Sequence, residues 1–236
     1  MMQKRLALAS ALLAALLVTL PTAFSSAYVQ FELDTSTNGD FPVKVNNANP
    51  ALTATFTNAG ADTVTLVLDA TNLVSSEFIP FWLFNYVGDP DADNLAFSPI
   101  GGAAELESVV LSASQSLNGG SQVKAGLFNV LLNFRTSNSQ NRLTGSESLT
   151  LTITGDGLTE TDFLLPSING PENSGVGGWY TAARIQGIPG DKSGSIGTTS
   201  ASVPEPASVA VWGLLGLVGL GCVHRRRSAR RCRQVD

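Results

Sequence analysis

Apolar and polar residues alternate with a period of two through much of the middle of the chain. Thr53-Ala54-Thr55-Phe56-Thr57 and Thr63-Val64-Thr65-Leu66-Val67-Leu68 show it, and Glu147-Ser148-Leu149-Thr150-Leu151-Thr152-Ile153-Thr154 shows it best. In that last run Leu149, Leu151 and Ile153 share one face, while Ser148, Thr150, Thr152 and Thr154 share the other. The pattern predicts strands with one face in a core and one in water, built from β-branched residues that suit a pleated surface. Phe78 to Tyr86 and Leu127 to Phe134 are more continuously apolar and are expected to be central, well-covered strands. Turns are expected at Asn58-Ala59-Gly60, Asn118-Gly119-Gly120 and Gly155-Asp156-Gly157. Glu105 to Ser116 comes closest to a helical stretch, but Val109-Val110 and its serines favour strand and loop. The expected class is all-β, two sheets packed face to face in a jelly-roll-like β-sandwich. A closed barrel is the alternative.

One stretch resembles another within the chain. Gly60 to Leu68 aligns with Gly145 to Ile153, and the register continues so that Leu73 meets Leu158, Glu77 meets Asp162 and Phe78 meets Phe163. Each copy is an acidic turn, an alternating strand, a second turn, and then a Leu and a Phe to fill the core. Equivalent places in the two halves of the sandwich are expected, with Leu66 and Leu151 both facing the core.

The two ends of the chain break the β pattern. Lys4-Arg5 precedes an apolar run from Leu6 to Leu20, Pro21 interrupts it, and Ser25-Ser26-Ala27 supplies small residues. This is the layout of a secretory signal peptide over residues 1–27, a signal helix cleaved between Ala27 and Tyr28. Near the other end, Val203, Pro204, Glu205, Pro206, Ala207 and Ser208 lead into an apolar segment and then Arg225-Arg226-Arg227. Residues 207–223 are just long enough for a single transmembrane helix. The basic tail, 224–236, would stay on the cytoplasmic side and leave the body outside. Between these ends, residues 28–187 are expected to form the β-sandwich. Residues 188–202, rich in Gly, Ser and Thr, are expected to be a flexible linker.

Charge and composition narrow what the body can do. The whole chain has a formal charge of −5, yet residues 28–202 hold six basic residues against seventeen acidic ones, a net of −11. Such a domain repels polyanions, so no nucleic-acid partner is expected. Cys222, Cys232 and the single histidine, His224, all lie in the C-terminal segment. The body therefore has no disulfide, no Cys/His zinc site and no imidazole for a Ser–His–Asp triad.

Three residue sets could still carry chemistry. Asp89, Asp91 and Asp93 alternate in a short acidic loop, a donor pattern suited to Ca²⁺, although Pro90 and Asn94 depart from an EF-hand. Trp82, Tyr86, Trp179 and Tyr180 could form an aromatic platform for sugar rings; Trp82 sits inside an apolar strand, and Trp179 and Tyr180, set among glycines, are the better candidates. Glu105 with Glu107, and Glu160 with Asp162, are the carboxylate pairs a glycosidase would need at a separation of about 5–10 Å.

The C-terminal sequence, motif then Gly/Leu-rich span then arginines, resembles the PEP-CTERM sorting signal of exopolysaccharide-producing bacteria. The resemblance implies that signal peptidase and an exosortase, a membrane cysteine protease-transpeptidase, handle the chain during export. It implies an inner-membrane intermediate and then a cell-surface or extracellular product. More loosely, Thr53 to Thr57, Phe81 to Asn85 and Gly178 to Ile188 resemble uncharacterised domains found ahead of this signal, many with His at the place of Arg184. The function expected is a non-enzymatic structural or adhesive surface or matrix protein. The alternative is a carbohydrate-binding module for extracellular polysaccharide, and a glycoside hydrolase comes third.

Overall fold

The computed structural model describes residues 27–39, 50–74, 76–118, 124–137, 140–169 and 178–203. The expected signal helix up to residue 26, the sorting motif beyond Val203, the span over 207–223 and Arg225, Arg226 and Arg227 lie outside the described residues. Among the described residues, no helix is long and apolar enough to cross a membrane.

The alternating runs do become strands: β1 (Tyr28–Leu33), β2 (Thr35–Gly39), β3 (Leu52–Gly60), β4 (Thr63–Asp69), β5 (Phe78–Phe84) and β6 (Ala96–Gly101). After them come β7 (Leu106–Leu111), β8 (Val130–Phe134), β9 (Leu143–Thr144), β10 (Ser148–Thr154), β11 (Thr181–Ile188) and β12 (Lys192–Thr198). A short 3-10 helix, Glu160–Phe163, follows β10. One sheet has the order β1-β3-β4-β10-β6; the other runs β2-β12-β11-β5-β8-β7, with β9 also on β5. Their strand pairs are antiparallel.

The period-two pattern decides which face is buried. Val64, Leu66 and Leu68 of β4 and Leu149, Leu151 and Ile153 of β10 are fully buried. They share one core with Trp82 and Phe84 of β5 and Val130, Leu132 and Phe134 of β8. Phe56 sits among three rings, stacked on Phe163 (centroids 4.1 Å apart) and edge-on to Phe84 (5.2 Å) and Phe31 (5.9 Å). Each such side chain contributes roughly 1.5–3 kcal/mol through burial. Leu83, which alternates with Trp82 and Phe84, belongs to a second, smaller cluster with Ala125, Phe128, Trp179 and Ala182. That cluster explains why β5 reads as apolar on both faces.

The expected linker is overturned. Residues 192–198 form β12, held between β2 and β11, with Ile196 and Ser195 fully buried. Small residues are what this position demands: a Cβ on Gly197 would lie 2.7 Å from the Thr181 carbonyl oxygen and 2.8 Å from Trp179 Cε3. Gly, Ser and Thr therefore serve tight sheet packing here, and the domain extends past 187 to Ser202, whose N–H donates to the Gln30 carbonyl (2.8 Å) while Gln30 N–H donates back (2.9 Å).

The internal repeat is real in space but differently placed. Leu66 and Leu151 are both fully buried, as expected, yet they lie directly opposite one another in adjacent strands of one sheet. The copies are thus related by a local two-fold axis through that pair. Ala70 N–H donates to the Glu147 carbonyl (3.1 Å), and the equivalent Gly155 N–H donates to the Asp62 carbonyl (3.2 Å). Val74 N–H donates to Glu77 Oε2 (3.0 Å), and the equivalent Thr159 N–H donates to Asp162 Oδ2 (2.7 Å).

Candidate functional site

The antiparallel registers bring several loops to one end of the five-stranded sheet. Tyr28 is opposite Thr57, Thr154 is opposite Thr63, and Ala96 is opposite Thr154. Ala27, the Gly60–Asp62 turn, the Gly155–Gly157 turn and the loop ahead of β6 are therefore neighbours. Hydrogen bonds join them. Asp62 Oδ1 accepts from Gly157 N–H (2.8 Å), the Asp93 carbonyl accepts from Asp156 N–H (2.9 Å), and Asn94 Nδ2 donates to Asp156 Oδ2 (3.0 Å). Asp62 and Asn94 hold left-handed backbones at φ 58° and 53°, which short polar side chains tolerate.

Tyr86 anchors this acidic end. It is buried, its backbone N–H and carbonyl are both bonded to the Asn129 amide (2.7 Å each), and its hydroxyl donates to Asp93 Oδ2 (3.0 Å). Burial pushes its phenol up to about 12, helped by the bond to Asp93 and by the charges of Asp93, Asp162 and Asp156. An anionic phenolate among three carboxylates is disfavoured on both counts.

The acidic triplet expected to bind calcium is largely occupied by its own loop. Asp89 Oδ1 accepts from the N–H groups of Asp91 (3.1 Å) and Ala92 (3.4 Å), and Asp93 is bound by Tyr86. Asp91 is exposed. Among the described residues, no three Asp, Glu, His or Cys side chains converge as metal ligands do.

The aromatic platform is not formed as expected. Trp179 is buried in the second cluster, because Gly178 packs on the backbone of Ser167 and Trp179 N–H donates to Ser167 Oγ (2.9 Å), drawing the segment inward. Tyr180 is half-buried and stacks on Phe31 at 5.8 Å. Trp82 is a core residue whose Nε1 donates to Thr181 Oγ1 (2.7 Å).

The carboxylate pairs also have local partners. Glu105 is ion-paired with Arg135 and receives a bond from Asn141 Nδ2 (3.3 Å), and those two bonds hold its carboxyl below the usual carboxylate range. Asp162 caps the 3-10 helix at Thr159, while Glu160 beside it is buried and Glu107 is exposed. Arg184 is buried in β11, bonded to the hydroxyls of Ser195 (3.3 Å) and Ser193, and desolvation lowers its pKa.

At the same acidic end, the two expected processing points meet the fold. Tyr28 is the first residue of β1, and Ala27, exposed, is still held to the sheet by Asn58 N–H donating to its carbonyl (3.1 Å). Because Gln30 and Ser202 pair antiparallel, the chain leading back to Ala27 and the chain leading on to Val203 run the same way. Neither the strand pattern nor the motifs alone could show this, since it needs the pairing of β1 with residue 202. Also unpredicted is a hollow between the Gly60 and Gly157 turns, lined by Asn58, Asp62 and Thr159 among others; the internal repeat was the one signal pointing to it.

Comparison with family models, with curated proteins and with solved structures gives no match for this chain.

Proposed function

We propose that the chain is the precursor of an exported, non-enzymatic cell-surface or matrix protein whose working part is residues 28–202. In this reading signal peptidase cuts between Ala27 and Tyr28. The segment 203–236 holds the protein in the inner membrane as a single-span intermediate until an exosortase cleaves at the Val203–Ser208 motif. The body is a jelly-roll-like β-sandwich with a structural or adhesive role. Several of its successive connections, such as β1 to β2, β2 to β3 and β4 to β5, pass from one sheet to the other, which supports that architecture.

One observation carries the proposal: one compact unit of the chain spans Ser26–Pro204. Among the described residues its first strand begins at Tyr28 and its last backbone bridge is made by Ser202, one residue before the motif. A domain that must survive the loss of both ends should make its contacts between them. Proline at 204 has no N–H with which to extend the ladder beyond Ser202, and a Pro-Glu-Pro sequence favours the extended backbone that a peptidase would need at the motif.

Mass spectrometry of the protein from cell-surface and medium fractions tests this. The expected product starts at Tyr28 and ends within residues 203–208. A C-terminus intact to Asp236 in both fractions refutes processing and leaves a single-span membrane protein.

A further inference from the structure

The peptide bond expected to be cut at the N-terminus is itself part of the sheet. Tyr28 to Leu33 pair residue by residue with Thr57 to Leu52 of β3. The pairing does not stop at Tyr28. The carbonyl of Ala27, the acyl half of the Ala27–Tyr28 bond, accepts from Asn58 N–H at 3.1 Å. Paired strands lie only about 4.7–4.9 Å apart, so β3 occupies that flank of the bond. On the other edge of β1, Gln30 N–H donates to the Ser202 carbonyl (2.9 Å), and the Gln30 carbonyl accepts from Ser202 N–H (2.8 Å). The start of β1 is thus tied on both edges.

The strand is tied through its face as well. Val29, Phe31 and Leu33 are fully buried. Phe31 meets Phe56 of β3 edge-on at 5.9 Å and stacks on Tyr180 at 5.8 Å. Since Tyr180 immediately precedes β11, that one ring links β1 to both sheets. A peptidase that binds its substrate as an added strand needs a free strand edge, and it turns the scissile carbonyl towards donors of its own. In the folded chain the Ala27 carbonyl already has its donor, and the residues after the bond already have their partners. Ala27 is exposed, but exposure of the residue does not free its carbonyl.

We propose that the fold closes the Ala27–Tyr28 bond to signal peptidase. The cut is made only while β1 is undocked, so removal of the leader precedes folding of the domain. A precursor that folds first keeps its leader. The cut adds water across the amide, leaving a carboxylate on Ala27 and an ammonium on Tyr28, and it takes away the partner of Asn58 N–H. The inference rests on the proposed cleavage between Ala27 and Tyr28 and adds to it an order of events set by the sheet.

The test uses the purified full chain in detergent with a bacterial type I signal peptidase, the products being read by mass spectrometry. Added as the chain is diluted out of urea, the peptidase should release a product that starts at Tyr28. Added after refolding, it should cut roughly a thousandfold more slowly, because Val29, Phe31 and Leu33 must first be uncovered. Phe31→Ala, which removes the linking ring, and Asn58→Pro, which removes the donor to Ala27, should each speed cleavage of the refolded chain by about tenfold. Phe97→Ala, in β6 at the opposite edge of the same sheet, should not. Thermal unfolding of each variant shows that it is folded at the assay temperature. Cleavage of the refolded parent as fast as of the chain caught unfolded overturns the inference and leaves the cleavage site standing. So does a Phe31→Ala chain cut no faster than Phe97→Ala. Absence of any product starting at Tyr28 from the unfolded chain removes both the site and the inference.

Discussion

Replacing Tyr86 with phenylalanine isolates the acidic end of the domain in one atom. The Tyr86 hydroxyl donates to Asp93 (3.0 Å) from a buried ring, and the ring itself packs on Phe163 at 5.9 Å. Phenylalanine keeps the packing and removes the bond. Below pH 10 the variant should be less stable by about 1–2 kcal/mol, since Asp93 is partly exposed and regains water. Alkaline pH then erodes the difference. The phenol moves from 10.0 to about 12 on folding, so the folded state holds its proton more tightly than the unfolded state does. That stabilisation is fully present below pH 10 and is lost as pH rises towards 12. By pH 11 the loss is on the order of 1 kcal/mol, and it grows to roughly 3 kcal/mol beyond pH 12. The variant has no phenolic proton to lose at this position, so the stabilities of the two proteins in urea unfolding should converge near pH 11 and cross above it. Absorbance at 295 nm should show that the variant lacks a tyrosinate step centred near pH 12. A missing step centred near pH 10, or parallel loss of stability in the two proteins, would refute the reasoning.

Two further predictions concern the repeat and its packing. Leu66→Ala and Leu151→Ala should each cost about 2–5 kcal/mol in urea unfolding. Because the two side chains oppose each other across the local axis, the double variant should fall short of the sum by roughly 0.5–3 kcal/mol; additive values would place them in separate cavities. Gly145→Ala should destabilise by about 3 kcal/mol or more, since its Cβ meets the Leu73 backbone at 1.9 Å. Gly101→Ala, where the nearest atom is 3.7 Å away, should stay within about 0.5 kcal/mol. Equal melting temperatures for these two glycine variants would contradict the close packing of Gly145 on the Leu73 backbone.

Much of the strand content was legible because a half-buried strand must alternate. Thr63 to Leu68 and Ser148 to Thr154 could be assigned to strands, and their buried faces named, from spacing alone. The same rule failed at 188–202. Glycine, serine and threonine there carry no apolar period, and only the close approach of β11 and Trp179 reveals that small side chains are needed. Trp179 failed for a related reason: flanking glycines look like exposure in a sequence, but Gly178 lets the segment press onto Ser167. The acidic triplet could be found by its alternation, yet the partners of Asp89 and Asp93 are set by loop geometry and by Tyr86 across the turn.

By itself, then, the sequence determined an all-β body, its buried faces, its acidic charge and the absence of Cys and His between the two terminal segments. These are local or compositional properties, readable one residue or one period at a time. Tertiary structure alone decided that β12 completes a sheet and that the repeats meet about a local axis. It also decided that Gly145 packs hard on Leu73 while its counterpart Gly60 faces open space, and that the chain leading back to Ala27 and the chain leading on to Val203 run the same way. Each of these depends on which strands pair and in what register, and pairing energies come from contacts between residues far apart in the chain.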